Sequence, residues 1–312
     1  MRIRVFLLLL LTLCLLSACA SPDASDGIRV MTLNGPTGFG FAHMMVQNAD
    51  SDVYAFSVES DASAVSAALL SGNADIAALP TNAAAALYAK TKGGIRVIAL
   101  NTLGVLHLVT ADPAIRSLED LAGKTVFAPA QNPTFITQIL LDRLGVRDAS
   151  IDNRYAQPAD LRTALAAGEV SAAILPEPMV SLACMANDTL RSVCDLSSVW
   201  ERFFPENSLA QGCLVVRSAF ADAHPALLED FLREYAASVA YAVSHPSEAS
   251  QEIVQAGILA NADAARSAIG GCGLVCLTGD DLREALGAYY AILFEAAPQA
   301  VGGALPGEDF YA

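Results

Sequence analysis

The chain has 312 residues and a formal charge of −15, from 33 acidic side chains against 18 Lys and Arg. That balance excludes nucleic acid as a main partner, because phosphate binding draws on clustered cations. With 54% apolar and 16% charged residues, the composition also excludes global disorder and supplies enough core for one large domain or two ordinary ones.

At the N-terminus, Arg2 and Arg4 precede an apolar run from Val5 to Leu16, followed by Leu16-Ser17-Ala18-Cys19. The run falls short of the roughly 20 apolar residues that span a bilayer, and small residues precede the cysteine. Residues 1–19 therefore read as a bacterial secretory signal. The segment resembles the lipobox of bacterial lipoproteins, which implies that Cys19 becomes the lipidated first residue of the mature chain. Acyl chains contribute about 0.8 kcal/mol per buried CH₂, so a multiply acylated cysteine holds a soluble domain at a membrane surface. Residues 20–27 then form a short polar tether. The expected product is exported and membrane-anchored.

An internal repeat organises the remainder of the chain. Residues 67–80 (AALLSGNADIAALP) and 163–176 (TALAAGEVSAAILP) are identical at Ala68/Ala164, Leu69/Leu165, Gly72/Gly168, Ala77/Ala173, Leu79/Leu175 and Pro80/Pro176. Each copy reads as an amphipathic helix stopped by Gly, then a short buried strand closed by Pro. The same offset pairs a strand over 28–33, ahead of a G-P-T loop, with one over 124–128, ahead of an N-P-T loop.

In chain order, the first unit predicts a strand over 28–33, a helix over 38–47, a strand over 53–58, a helix over 63–70 and a strand over 75–79. The strands 95–101 and 105–110 come next. The second unit predicts a strand over 125–128, a helix over 133–144, a strand over 150–154, a helix over 159–167 and a strand over 171–175. Beyond it lie an apolar strand over 213–216, a helix over 225–244 and further helices to the C-terminus. Alternating strands and helices imply an α/β fold of two lobes, each a mostly parallel sheet flanked by helices. The expected division is 28–104 with 217–312 for the first lobe and 105–216 for the second, joined by a double-strand hinge.

Ligands of open parallel sheets bind beyond the carboxyl ends of the strands. The loops there offer Asn34, Gly35, Pro36, Thr37, Gly38 and Phe39; Thr81 and Asn82; Asn101 and Thr102; Gln131, Asn132 and Thr134; and Glu177. Thr37, Thr81, Asn132 and Thr134 equally suit helix capping, and Glu177 suits a cap on the helix starting near Pro178. The loops hold no Lys or Arg, the usual partners of a phosphate or sulfonate. They predict a small neutral or weakly cationic, nitrogen-bearing ligand, with Glu177 accepting its N–H groups. The order G-x-x-G-x-G in GPTGFG, with no Lys after it, is not a nucleotide fingerprint. Phe39, Phe41, Phe135 and the aromatic residues of 200–204 serve the core or a cleft wall.

No G-x-S-x-G or H-E-x-x-H motif occurs, so no catalytic residue, cofactor or metal is expected. His43 and His107 read as buried and satisfied, and His224 and His245, each before a Pro, as caps. Beyond Cys14 and Cys19, the five cysteines 184, 194, 213, 272 and 276 form an odd set in a disulfide-permissive compartment. Cys184 and Cys194 are near enough for a local bridge, and Cys213 could meet Cys272 or Cys276.

The stretches LNGPTGFG, DIAALPTNAAAALY, ALNTLGVLHLV, AILPEP, QGCLVVRSAFADAHPALLEDFLREY and AVGGALPGEDFY resemble solute-binding lipoproteins of ABC importers. The nearest group is the nitrate, sulfonate, bicarbonate and thiamine-pyrimidine-precursor type. That resemblance implies a type II periplasmic-binding fold, a small molecule captured between the lobes, and delivery to a permease and its ATPase by a monomeric protein. It implies the same ligand loops, from Asn34–Phe39 to Glu177. Gln131-Asn132-Pro133 departs from the group, so ligand identity does not carry over. An enzyme on the same fold, of the futalosine-pathway kind, would need His43 or Glu177 in its cleft; a ligand-sensing lipoprotein would differ only in its partner.

Overall fold

The computed structural model describes residues 27–312, so the signal segment, Cys19 and all of the tether but Gly27 lie outside the described residues. The first lobe opens with β1 (Ile28–Leu33), α1 (Pro36–Phe39), α2 (Ala42–Gln47), β2 (Tyr54–Glu59), α3 (Ala62–Ser71), β3 (Ile76–Pro80), α4 (Thr81–Thr91) and β4 (Ile95–Thr102). The second holds β5 (Leu106–Thr110), β6 (Thr125–Phe127), α5 (Asn132–Leu144), β7 (Ser150–Asp152), α6 (Pro158–Ala166), β8 (Ala172–Pro176), α7 (Met179–Ala186), β9 (Arg191–Asp195) and α8 (Leu196–Phe203). The chain then re-enters the first lobe with β10 (Gly212–Arg217), α9 (Ser218–Ala223), α10 (Pro225–Ser244), α11 (Pro246–Gln255), α12 (Ala262–Ile269), β11 (Leu274–Leu277) and α13 (Gly279–Ala296).

The strand orders are β11-β4-β10-β3-β1-β2 and β7-β6-β8-β5-β9. Each repeat supplies a parallel trio in the same order, β2-β1-β3 and β7-β6-β8. The next strand inward, β10 or β5, runs antiparallel to β3 or β8. Most strands of each sheet run one way, as expected, and the reversed ones are β10 and β11 in the first sheet and β5 in the second. The reason is connectivity: β5 and β10 are the first strands after each crossing between lobes, so they start at the junction and run away from it.

The local chemistry of the repeat is visible in both copies. Asp61 caps α3 by accepting from Ser63 N at 2.7 Å, and Gly72 ends it at φ 77°, the conformation that Gly168 repeats after α6. Only glycine adopts that left-handed angle without a Cβ penalty. Residues 76–79 and 172–175 are buried without alternation, as strands covered on both faces must be.

Three differences from the expected elements have physical causes. The helix expected over 38–47 is two pieces, because the chain turns at Gly40 against α10, where a Cβ would stand 2.5 Å from the Tyr235 hydroxyl. The strands β9 and β11 add to the expected set; both are short sheet edges, partly exposed, with weak patterning. Finally β10 lies wholly in the six-stranded sheet, so we set the return crossing at residues 204–211 and not after 216. The five cysteines within the described residues are free thiols, so neither the 184–194 bridge nor a bridge from Cys213 forms. Burial pushes the Cys194 and Cys276 thiols up to about 11.

Candidate functional site

The carboxyl ends of β1, β3, β4, β6 and β8 meet the amino ends of β5, β10 and β11 at the junction of the lobes. Thr37, Asn101 and Thr102 come together there: Asn101 Nδ2 donates to Thr37 O at 2.9 Å, and Thr102 Oγ1 to Asn101 Oδ1 at 3.1 Å. Gly212 permits the cluster, since a Cβ on it would stand 2.6 Å from both Asn101 Oδ1 and Thr37 Cγ2.

A second cluster spans both lobes. Thr81 Oγ1 donates to Ala210 O at 2.8 Å, and Thr81 N to Gln211 O at 3.1 Å. Gln211 Nε2 donates to the Tyr289 hydroxyl at 3.2 Å, which also lies beside Thr81 and, from the other lobe, Asn132. Burial pushes the Tyr289 phenol up, so it stays a neutral donor. Asn132 is 6% exposed, yet its Oδ1 has no hydrogen-bond partner.

The third cluster centres on Glu177, only 7% exposed. Its Oε2 accepts from Ser181 N and its Oε1 from Ser181 Oγ, each at 3.1 Å, which realises the expected cap on α7. Among the described residues no Lys, Arg or His is in ion-pair contact with this carboxylate. The next residue, Pro178, faces Gly35 across the junction, 3.4 Å from where a Cβ on Gly35 would be. Glu177–Pro178 is a cis peptide.

Of the sequence-predicted residues, Thr37, Thr81, Asn82, Asn101, Thr102, Asn132 and Glu177 lie at this junction or directly beneath it. Phe39 is fully buried in the first lobe's core, Pro36 and Gly38 build α1, and Asn34 and Gln131 are exposed. Thr134 bonds within its own lobe, donating to Pro129 O at 2.8 Å and accepting from Asn153 Nδ2 at 2.6 Å. Neither Thr37, Thr81, Asn132 nor Thr134 makes a side-chain cap; the cap positions belong to Gly35, Pro80 and Gln131. His224 and His245 occupy N-cap positions without a side-chain cap bond. His43 is bonded, 3.1 Å from Glu252 and stacked on Tyr241.

His107, Gln211, Gly271 and Tyr289 escape a reading of the sequence. The first three sit at amino ends of antiparallel strands, which a rule about carboxyl ends passes over. Strand direction is the missing signal: β5 and β10 come directly after the crossings, so their first residues must lie at the junction.

Two sheets of this order joined at such a junction define a periplasmic-binding fold. The sequence over residues 52–249 matches the NMT1/THI5-like family; that is more than half of the chain, which therefore belongs to this family. Solved structures of similar fold include an ABC transporter protein from Parabacteroides distasonis, 24% identical, with a TM-score of 0.78 over 92% of this chain and 99% of that one. A ligand-binding component of an ABC-type import system from Staphylococcus aureus, solved with zinc bound, is 15% identical with a TM-score of 0.70, covering 92% and 96%. The periplasmic aliphatic sulphonate-binding protein SsuA of Escherichia coli is 15% identical with a TM-score of 0.70, covering 91% of each chain. Identities this low establish the fold. No protein of curated function matches the sequence.

Proposed function

We propose that this protein is the solute-binding component of an ABC importer. It captures a small neutral or weakly cationic, nitrogen-bearing ligand, such as a heterocycle, between its lobes and delivers it to a permease. It does so as an exported monomer tethered through Cys19, and it is not an enzyme. The observation that carries the ligand class is Glu177: a buried carboxylate that no Lys or Arg among the described residues contacts, in a junction whose other polar groups are amides, hydroxyls and the His107 imidazole. A buried charge of this kind costs several kcal/mol unless something answers it, and an N–H-bearing solute does. The Arg154 guanidinium, over the ring of Phe127 at the end of β6, is already paired with Asp152, and the loops that carry Thr81, Asn101, Asn132 and Glu177 hold no Lys or Arg for a sulfonate or nitrate.

Trp200 provides the assay. It is the only tryptophan in the chain, fully buried on α8, with its ring 5.8 Å from that of Tyr289 on α13. Opening the lobes separates these two rings. Titration with a panel of amino-bearing heterocycles, followed by Trp200 fluorescence and calorimetry, is expected to give saturable binding with closure. Alkanesulfonates and nitrate should give none. Tight binding of an anion would overturn the ligand class, and turnover of a bound compound would overturn the transport reading.

A further inference from the structure

Two neighbouring tyrosines of α13 serve different lobes. The Tyr290 hydroxyl donates to Thr81 O at 2.7 Å, which ties α13 to the start of α4 in its own lobe. Tyr289, about 100° away round the helix, turns towards the second lobe, where its ring lies 5.8 Å from that of Trp200 and α13 packs against α5. Both phenols are buried.

Among the described residues, the Tyr289 hydroxyl makes one hydrogen bond, which it accepts from Gln211 Nε2. Gln211 ends the return crossing, so the hinge itself holds that oxygen in place. The phenol's own proton is left without an acceptor. Beside the same hydroxyl, from the other lobe, stands Asn132, whose Oδ1 is buried without a donor. Asn132 opens α5 between Gln131, at φ 71°, and Pro133, and that constrained turn sets the direction in which its amide leaves the helix. A donor without an acceptor on one lobe thus faces an acceptor without a donor on the other.

We infer that Asn132 and Tyr289 form an interlobe latch, a hydrogen bond that the last step of lobe closure completes and that holds the closed form; Asn132 is then a positioning residue and not a solute contact. This rests on the proposed opening and closing of the lobes around a solute. Turning the amide over does not remove the latch, because a phenol both donates and accepts and an amide offers one group of each kind. Opening the lobes gives both side chains to water, which replaces the bond. Its net effect is therefore modest, about tenfold in the ratio of closed to open molecules. That favours closure and keeps it reversible.

Trp200 is the only tryptophan, so 5-fluorotryptophan labels one site, and ¹⁹F NMR of the free protein reads its open and closed populations. The parent is expected to show both. Asn132→Leu, of similar volume, should lower the closed-to-open ratio about tenfold, and so should Tyr289→Phe, which keeps the ring beside Trp200. Because Tyr289→Phe also releases Gln211, the double-mutant cycle decides: the double variant should show little loss beyond that of Tyr289→Phe. If Asn132→Leu fails to fold, Asn132→Ser, too short to reach the phenol, takes its place. A parent without a closed line, unchanged populations in the Asn132 variant, or additive losses in the double variant overturns the inference. If the Asn132 variant binds an amino-bearing heterocycle more weakly while its free populations match the parent's, Asn132 is a solute contact and the latch alone falls. If no heterocycle binds the parent yet the variants shift its populations as described, the latch stands and the ligand reading falls.

Discussion

Gln131 sits at φ 71° and ψ −131°, and its counterpart in the first repeat, Gly35, at φ 94° and ψ −155°. The two loops thus make the same left-handed turn into α5 and α1, and only one of them has the residue for it. A non-glycine residue there costs of order 1–3 kcal/mol, so Gln131→Gly is expected to raise stability by about 1 kcal/mol in urea melts. If the exposed Gln131 amide reaches the solute, the same variant lowers ligand affinity, a trade the calorimetry panel detects. At the other pole, Asp75 is 4% exposed and holds Arg29 Nη2 at 2.7 Å and Arg217 Nη2 at 2.5 Å. Burial alone would raise its carboxyl, but bonds from Arg29 and Arg217 outweigh that and hold it below the usual range. A depressed carboxyl contributes stability above its unfolded value and loses it as pH falls through the folded one. Asp75→Asn should therefore cost about 2 kcal/mol at pH 7, discounted because both arginines are partly exposed, and the gap to the parent should close below about pH 4. None of this is legible from sequence: Asp75 reads only as the start of a strand, and backbone angles leave no mark on residue type when glutamine occupies the turn.

At the scale of elements, the repeat is the legible part. Shared Gly72/Gly168 and Pro80/Pro176 mark a helix end and a strand end in each copy, and both copies fold with the predicted βαβαβ order. What stays hidden is pairing over long sequence distances. Nothing local in β9 or β11 shows that they edge sheets, and nothing in residues 38–47 shows that Tyr235 lies against Gly40. The hinge is a case where close approach decides. Gly104, between β4 and β5, lies against the first turn of α8, where a Cβ would collide with the Ser197 side chain. Gly104→Ala should lower stability by about 1–3 kcal/mol through overpacking. Adding Ser197→Gly should recover most of that loss, and a double-mutant cycle on thermal melts reads the coupling. Independent, additive losses would show that the glycine serves some purpose other than this contact.

For the molecule as a whole, the repeat tells of two lobes, and the loops at their strand ends tell of a junction short of Lys and Arg, because hydrophobic periodicity and loop chemistry are local properties. The junction's full membership is not readable, since Gly271, Tyr289 and His107 approach it only after the chain has crossed between lobes. The direction of β1 carries a consequence for the proposed tether. Ile28 pairs with Tyr54 and Leu33 with Glu59, and Asn34 continues from Leu33 into the junction loop. The strand therefore begins at the pole of the first lobe and runs to the cleft, about 20 Å over six residues at the usual strand rise. An anchor attached ahead of Gly27 would pull on the pole farthest from the solute, leaving the second lobe free to swing. Membrane attachment and ligand binding should then be separable. A chain beginning at residue 27 is expected to bind solute with the affinity of the full protein while remaining in the soluble fraction of an expressing cell, and Cys19→Ala in the full chain should likewise leave the membrane fraction. A truncated chain that folds, by its thermal melt, yet binds about tenfold more weakly would place part of the leader or tether in the site, and would contradict the separation that the course of β1 implies.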